Sequence, residues 1–82
     1  MISEFDRVVL MDDIPAKKLK KGDIGTVVMV YPKVTLGSSS KTGFEVEFFT
    51  LDGNTLAVET LLPHQIRSVK TNEVAHVREV VA

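Results

Sequence analysis

The chain contains no cysteine and no tryptophan, and Tyr31 with four phenylalanines makes up its whole aromatic complement. Without cysteine, disulfides are excluded as a source of stability and thiolate zinc sites are excluded with them. The same absence agrees with a reducing cytoplasm, the expected location. The scarcity of aromatics counts against a nucleic-acid surface, where stacking rings usually alternate with positive charge. No apolar run approaches the roughly 18 residues that could cross a bilayer. The opening Met1-Ile2-Ser3-Glu4-Phe5-Asp6 also lacks the basic and apolar regions of a secretory signal, so no membrane association is expected. An excess of one charge is missing too: ten Lys and Arg face eleven Asp and Glu, for a net charge of −1. The isoelectric point near 6.1 is far from the value above about 9 typical of domains that live on phosphate contacts.

At 82 residues the chain makes one domain, and a chain this short buries only about 60% of the surface its unfolded form exposes. Small proteins near or below about 80 residues commonly add a disulfide, a metal or a partner subunit to a modest core. With disulfides gone, oligomerisation gains weight, and a homodimer is expected.

What is present reads as short strands. Arg7-Val8-Val9-Leu10-Met11 suits a first strand, ended by Asp12-Asp13-Ile14-Pro15. A long charged loop follows, with Lys17, Lys18, Lys20 and Lys21 ahead of the Gly22-Asp23 turn. Val27, Val28 and Val30 favour a pleated second strand from Ile24 to Tyr31, stopped by Pro32. Gly25 inside it marks a bulge, a bend or a close backbone approach. The span from Lys33 to Gly43, with Gly37-Ser38-Ser39-Ser40, has the composition of a mobile loop. Phe44, Val46 and Phe48 then alternate with Glu45 and Glu47 along a third strand, Gly43 to Thr50. Asp52-Gly53-Asn54 makes a hairpin turn, with Gly53 at positive φ, and Thr55 to Thr60 returns with Leu56 and Val58 expected inward. Leu61-Leu62-Pro63-His64-Gln65 is read as one 3₁₀-like turn before a fifth strand, Ile66 to Val69.

The expected fold is therefore all-β, a small five-stranded barrel over residues 1–70 followed by an extension over residues 71–82. In that tail Val74, Val77 and Val81 recur at helical spacing, while the valine content favours a strand. Asn72 could cap a helix, and a short helix from Glu73 is the reading taken, with an extra strand as the alternative.

Several segments resemble a known family. They are Asp6-Arg7-Val8-Val9-Leu10, Leu19-Lys20-Lys21-Gly22-Asp23-Ile24-Gly25-Thr26-Val27-Val28, Tyr31, Phe44-Glu45-Val46-Glu47-Phe48, Asp52-Gly53, Thr55-Leu56-Ala57, Leu62-Pro63 and Gln65-Ile66-Arg67. Over about residues 5 to 69 they look like the bacterial domain of unknown function 4926. The resemblance implies an SH3-like barrel, similar in its Gly-Asp-x-Gly-x-Val core to KOW-type and other translation-associated barrels, and it brings no catalytic residue. The Lys33 to Gly43 loop is longer than the family's usual connection, and the tail after Lys70 extends beyond its pattern.

No constellation of residues calls for catalysis or a cofactor. A zinc site would have to gather His64, His76 and carboxylates such as Glu59 or Glu79 from distant segments. Ser38, Ser39 and Ser40 have no Ser-His-acid spacing or glycine elbow around them, and Glu45 with Glu47 reads as a solvated sheet face. Gly22 and Gly25 match no phosphate-loop spacing.

Two surfaces remain. Lys17, Lys18, Lys20 and Lys21, joined by Lys33 and Lys41, form the expected partner-binding surface. If Ile24, Thr26, Val28 and Val30 face inward, then Val27, Met29 and Tyr31 face outward with Val9, Met11 and Phe49, and Val74, Val77 and Val81 would cover them in the same subunit or a second one. The expected function is a non-enzymatic binding or assembly module that meets an unidentified protein partner. The alternative is an RNA- or ribosome-associated module that uses the lysine loop for phosphates.

Overall fold

The computed structural model describes residues 1–36 and 39–81. It is all-β: five antiparallel strands in one sheet, β1 (Arg7–Leu10), β2 (Ile24–Leu36), β3 (Ser39–Phe49), β4 (Thr55–Leu61) and β5 (Ile66–Ser68). Their order is β4-β3-β2-β1-β5. The first and last strands in this order are not hydrogen bonded to each other, so the sheet is open. Its two edges nevertheless meet in one core. Leu61 of β4 and Ile66 of β5 join Val8, Leu10, Val27, Phe44, Val46 and Phe48 in a single buried cluster, so the sheet wraps around its own inner face. The one-turn 3₁₀ helix Pro63–Gln65 makes the crossing between β4 and β5. Its Gln65 side chain accepts from the Leu62 N–H at 2.8 Å, while the Gln65 carbonyl accepts from Met11 N–H at 2.7 Å, which ties the turn to the end of β1.

The strand phases follow from one glycine and two bulges. A Cβ on Gly25 would stand 2.5 Å from Val46 Cγ1 and 3.0 Å from Phe48 Cε1, so Gly25 lies on the inner face, where only glycine lets β3 approach. Val27, two residues on, must then face inward as well. It is fully buried opposite Val46. This corrects the expectation that Ile24, Thr26 and Val28 point to the core and Val27 to solvent: Ile24 is 37% exposed. A register shift between Val27 and Met29 then restores the expected phase, so Val30 packs on the core and Met29 faces out. The irregularity lies at Val28, three residues beyond the glycine that suggested it. In β4 a second shift, between Phe48 and Phe49, places Ala57 opposite Phe48, Glu59 opposite Val46 and Leu61 opposite Phe44. Val58 is consequently exposed rather than inward, and Leu56 packs only at the margin of the core.

Two further expectations change. Residues 33–36 and 39–43 are paired strand, with Val34 opposite Lys41, Thr35 opposite Ser40 and Leu36 opposite Ser39, and make a β-arm; the Gly37-Ser38 part of the expected loop lies outside the described residues. The tail carries no helix and no strand over residues 73–81. Its valines remain in solvent, at 92% exposure for Val74, 74% for Val77 and 78% for Val81. A helix has little to form on here, since β-branched residues lose side-chain freedom in one and the segment is below the length at which isolated helices persist.

Candidate functional site

The first loop is folded back on itself. Pro15–Lys17 forms one 3₁₀ turn, Ile14 bridges Leu19, and Leu19, the single large apolar side chain among four lysines, is 1% exposed and part of the core. Burying Leu19 leaves its lysine neighbours on the rim. Lys18 adopts a left-handed conformation, φ 60°, as it ends the turn. Gly22, φ 96°, supplies the reversal before Asp23.

Asp23 is held through both its backbone and its carboxylate. Its carbonyl accepts from Leu10 N–H at 2.8 Å and its N–H donates to the Lys20 carbonyl at 2.9 Å, while Lys20 N–H donates to its carboxylate at 2.8 Å. The tail supplies the opposite charge. Arg78 Nε donates to Asp23 Oδ1 at 2.8 Å and Nη2 to Oδ2 at 2.5 Å, and Nη2 also donates to the Lys18 carbonyl at 2.9 Å. A two-pronged guanidinium–carboxylate fork fixes direction as well as distance. Partial burial pulls the Asp23 pKa upward, but the Arg78 hydrogen bonds, the Lys20 N–H and the nearby positive charge outweigh it, so the carboxyl sits below its ordinary value of 3.8. A second fork starts the tail. Arg67 grips both oxygens of Glu73 at 2.8 and 2.5 Å, and Lys70 N–H adds a third bond at 2.6 Å. These hydrogen bonds, Arg67's first, hold Glu73 down to about 2 from 4.5.

Between the two forks the tail borders a groove of about 580 Å³, whose opposite wall includes Ile24, Phe49, Leu51 and Leu56. Beyond Arg78 a smaller cavity of about 260 Å³ separates Val80 and Val81 from Pro15 and Leu19. From Val74 to Val81 the tail makes no backbone–backbone hydrogen bond among the described residues.

The predicted lysines are dispersed by their acidic neighbours. Lys17 pairs with Glu59 at 3.6 Å, which matches an inward-facing charge on the edge strand β4 and shields that edge. Lys21 N–H is held by Asp13 at 2.8 Å. Lys18, Lys20 and Lys21 are exposed on the first loop, while Lys33 and Lys41 are exposed on the arm that β2 and β3 form. The predicted apolar patch is also divided. Met29 lies opposite Glu45, while Phe49, four residues further along β3, sits about 13 Å from that position. Glu47, which accepts from Thr55 Oγ1 at 2.5 Å, lies between them. Tyr31 is half-buried; burial first, and then the Glu45 carboxylate, raise its phenol pKa. Val9 alternates with Val8 and Leu10 and lies outside their core cluster, on the other face as expected, yet it is covered there at 8% exposure. The expected cover is not completed within the chain: the tail reaches the first loop through Arg78, Val77 borders the groove that Phe49 also lines, and Val74, Val77 and Val81 stay exposed. Among the described residues no three His, Asp or Glu side chains gather where they could hold one ion, and no helix is long and apolar enough to cross a membrane.

Sequence reasoning missed Asp23, Arg78, Arg67 and Glu73 as an ensemble. Two isolated charges 55 positions apart carry no local pattern, and the helical expectation for the tail distracted from its arginine.

Fold and site together define a small single-sheet β domain with a charge-latched C-terminal segment. The chain belongs to the family described as Domain of unknown function (DUF4926), whose sequence profile matches residues 4–68. Asp23 and Arg67 lie within the matched segment, and their tail partners Arg78 and Glu73 lie beyond it. Comparison with curated proteins and with solved structures found no match.

Proposed function

We infer that this chain is a non-enzymatic binding and assembly module, built as an SH3-like, partly open barrel, and that it works as a homodimer in a reducing, cytoplasmic setting. The observation that carries this reading is the division of its apolar residues. Val8, Leu10, Val27, Val46 and Phe48 fill the interior, as they do in barrels too small to enclose a ligand. Phe49, Leu51, Val58, Val74, Val77 and Val81 are exposed, and an exposed apolar set on so small a domain marks a surface that meets another protein. The interleaving of Lys18, Lys20 and Lys21 with Asp12, Asp13 and Asp23 favours a protein partner over a polyanion, since neutralising phosphates needs a field of one sign. Sedimentation velocity over a wide dilution range tests the reading. A dimer that dissociates on dilution is expected, and a monomer at every concentration would contradict it.

A further inference from the structure

We propose that Asp23 and the Lys18 carbonyl form a guanidinium socket that, in the dimer, receives Arg78 from the tail of the second copy, so that the two chains exchange tails. The inference rests on the homodimer reading above and names the contact that makes it.

The socket is built before any tail arrives. Asp23 is fixed by backbone bonds to Leu10 and Lys20, and Lys18 is set by the turn that follows Pro15–Lys17. Three donor–acceptor contacts of 2.5 to 2.9 Å converge there on one guanidinium. Within one chain that plug is attached weakly. Among the described residues no backbone–backbone hydrogen bond holds residues 74–81, and Val74, Val77 and Val81 are exposed, so swinging the segment out breaks the Arg78 contacts and uncovers little else than the half-buried Val80. The Arg67–Glu73 fork stays with its own body and defines the hinge. Exchange then re-forms every contact between chains, which is why reciprocal swapping costs little once a hinge is free.

Geometry also states what exchange adds. The five peptide steps from Glu73 to Arg78 reach at most about 17 Å, so a tail seated in its partner's socket draws the two bodies together at the groove. The groove wall includes Phe49 and Leu51, the latter 89% exposed, and these side chains with Val77 gain a cover that the single chain does not provide.

The test compares the wild-type chain with Asp23→Asn, which removes the socket's charge, and Arg78→Ala, which removes the plug, each alone and then mixed, by sedimentation velocity and native mass spectrometry. Circular dichroism melting confirms that each variant is folded. The expected result is a wild-type dimer, a dissociation constant raised at least about tenfold in each variant alone, and a heterodimer recovered on mixing, because one chain then brings a socket and the other a plug. A dimer that persists unchanged in both variants would overturn the exchange while leaving the homodimer reading intact. A wild-type monomer would overturn both, even if the mixed variants associate. Titrating a synthetic peptide of residues 70–82 into the full-length Arg78→Ala chain provides a second measurement: saturable binding, lost when the peptide's own arginine is alanine, is expected, and no binding would count against the socket.

Discussion

The body and the tail of this protein are held by opposite kinds of force. In the body, Leu10, Val27, Val46 and Phe48 are removed from water and the strands pair by continuous backbone ladders. Among its described residues, the tail keeps Val74, Val77 and Val81 in water and is fastened at two points by arginine–carboxylate forks. Apolar burial is insensitive to pH and scales with area, whereas exposed or half-exposed ion pairs contribute little to global stability and respond to protonation and salt. One chain thus carries a stable platform and a reversible latch, and the two can be perturbed separately.

The largest effects belong to the platform. Phe48→Ala is expected to cost about 3 to 5 kcal/mol, the usual range for an emptied aromatic core site, measured by denaturant unfolding; a loss below 1 kcal/mol would mean that the inner face is not packed as described. Gly25→Ala should cost about 1 to 3 kcal/mol, because its methyl meets Val46 at 2.5 Å and forces β2 away from β3. At about 4 to 8 °C per kcal/mol for a domain of this size, its melting temperature should fall visibly, while the same change at Gly53, with nothing within 4 Å, disturbs only the hairpin's positive φ.

Acid separates the two regions next. Glu73 and Asp23 both have pKa values lowered in the folded chain, so the contribution of each fork is fully present above the unperturbed carboxylate range and is lost as pH falls through the folded value. For Glu73 that window runs from 4.5 down to about 2. Two-dimensional NMR of the carboxyl and arginine side chains should show the tail releasing within it; a Glu73 midpoint at its ordinary value would break the comparison. The smallest effect on the platform is expected from Arg78→Ala, within about 1 kcal/mol of the wild-type body stability. Limited proteolysis should nonetheless cut the tail of this variant faster.

Much of the platform was legible in the sequence, for reasons that particular residues make plain. Alternation at Phe44, Val46 and Phe48 fixed the inner face of β3, and Asp52-Gly53 fixed the hairpin that follows it. Gly53 does take φ 90°. What escaped was phase. Counting alternation from Ile24 gave the wrong face for Val27, because the hydrophobic pattern of a strand apolar on both sides is the same in either register. The missing Cβ of Gly25 was the residue that could decide it. Leu19 escaped because its four lysine neighbours dominate the composition of the loop. The β-arm escaped because serine and glycine read as loop, while cross-strand pairing is a property of two segments together. The latch was beyond reach of local patterns altogether, since Arg78 and Asp23 meet only once the sheet has brought the start of β2 to the surface.

The comparison of body and tail is tested most directly by the amide NMR spectrum of the Asp23→Asn chain. The shifts should be confined to Lys18 through Ile24, to the groove wall from Phe49 to Leu56 and to Ala75 through Val81, with the inner-face signals of Val46 and Leu61 unmoved and the melting temperature within a few degrees of wild type, about the effect of a lost surface pair. Shifts spread through the Val46 and Phe48 core, or tail signals identical to wild type, would contradict the account.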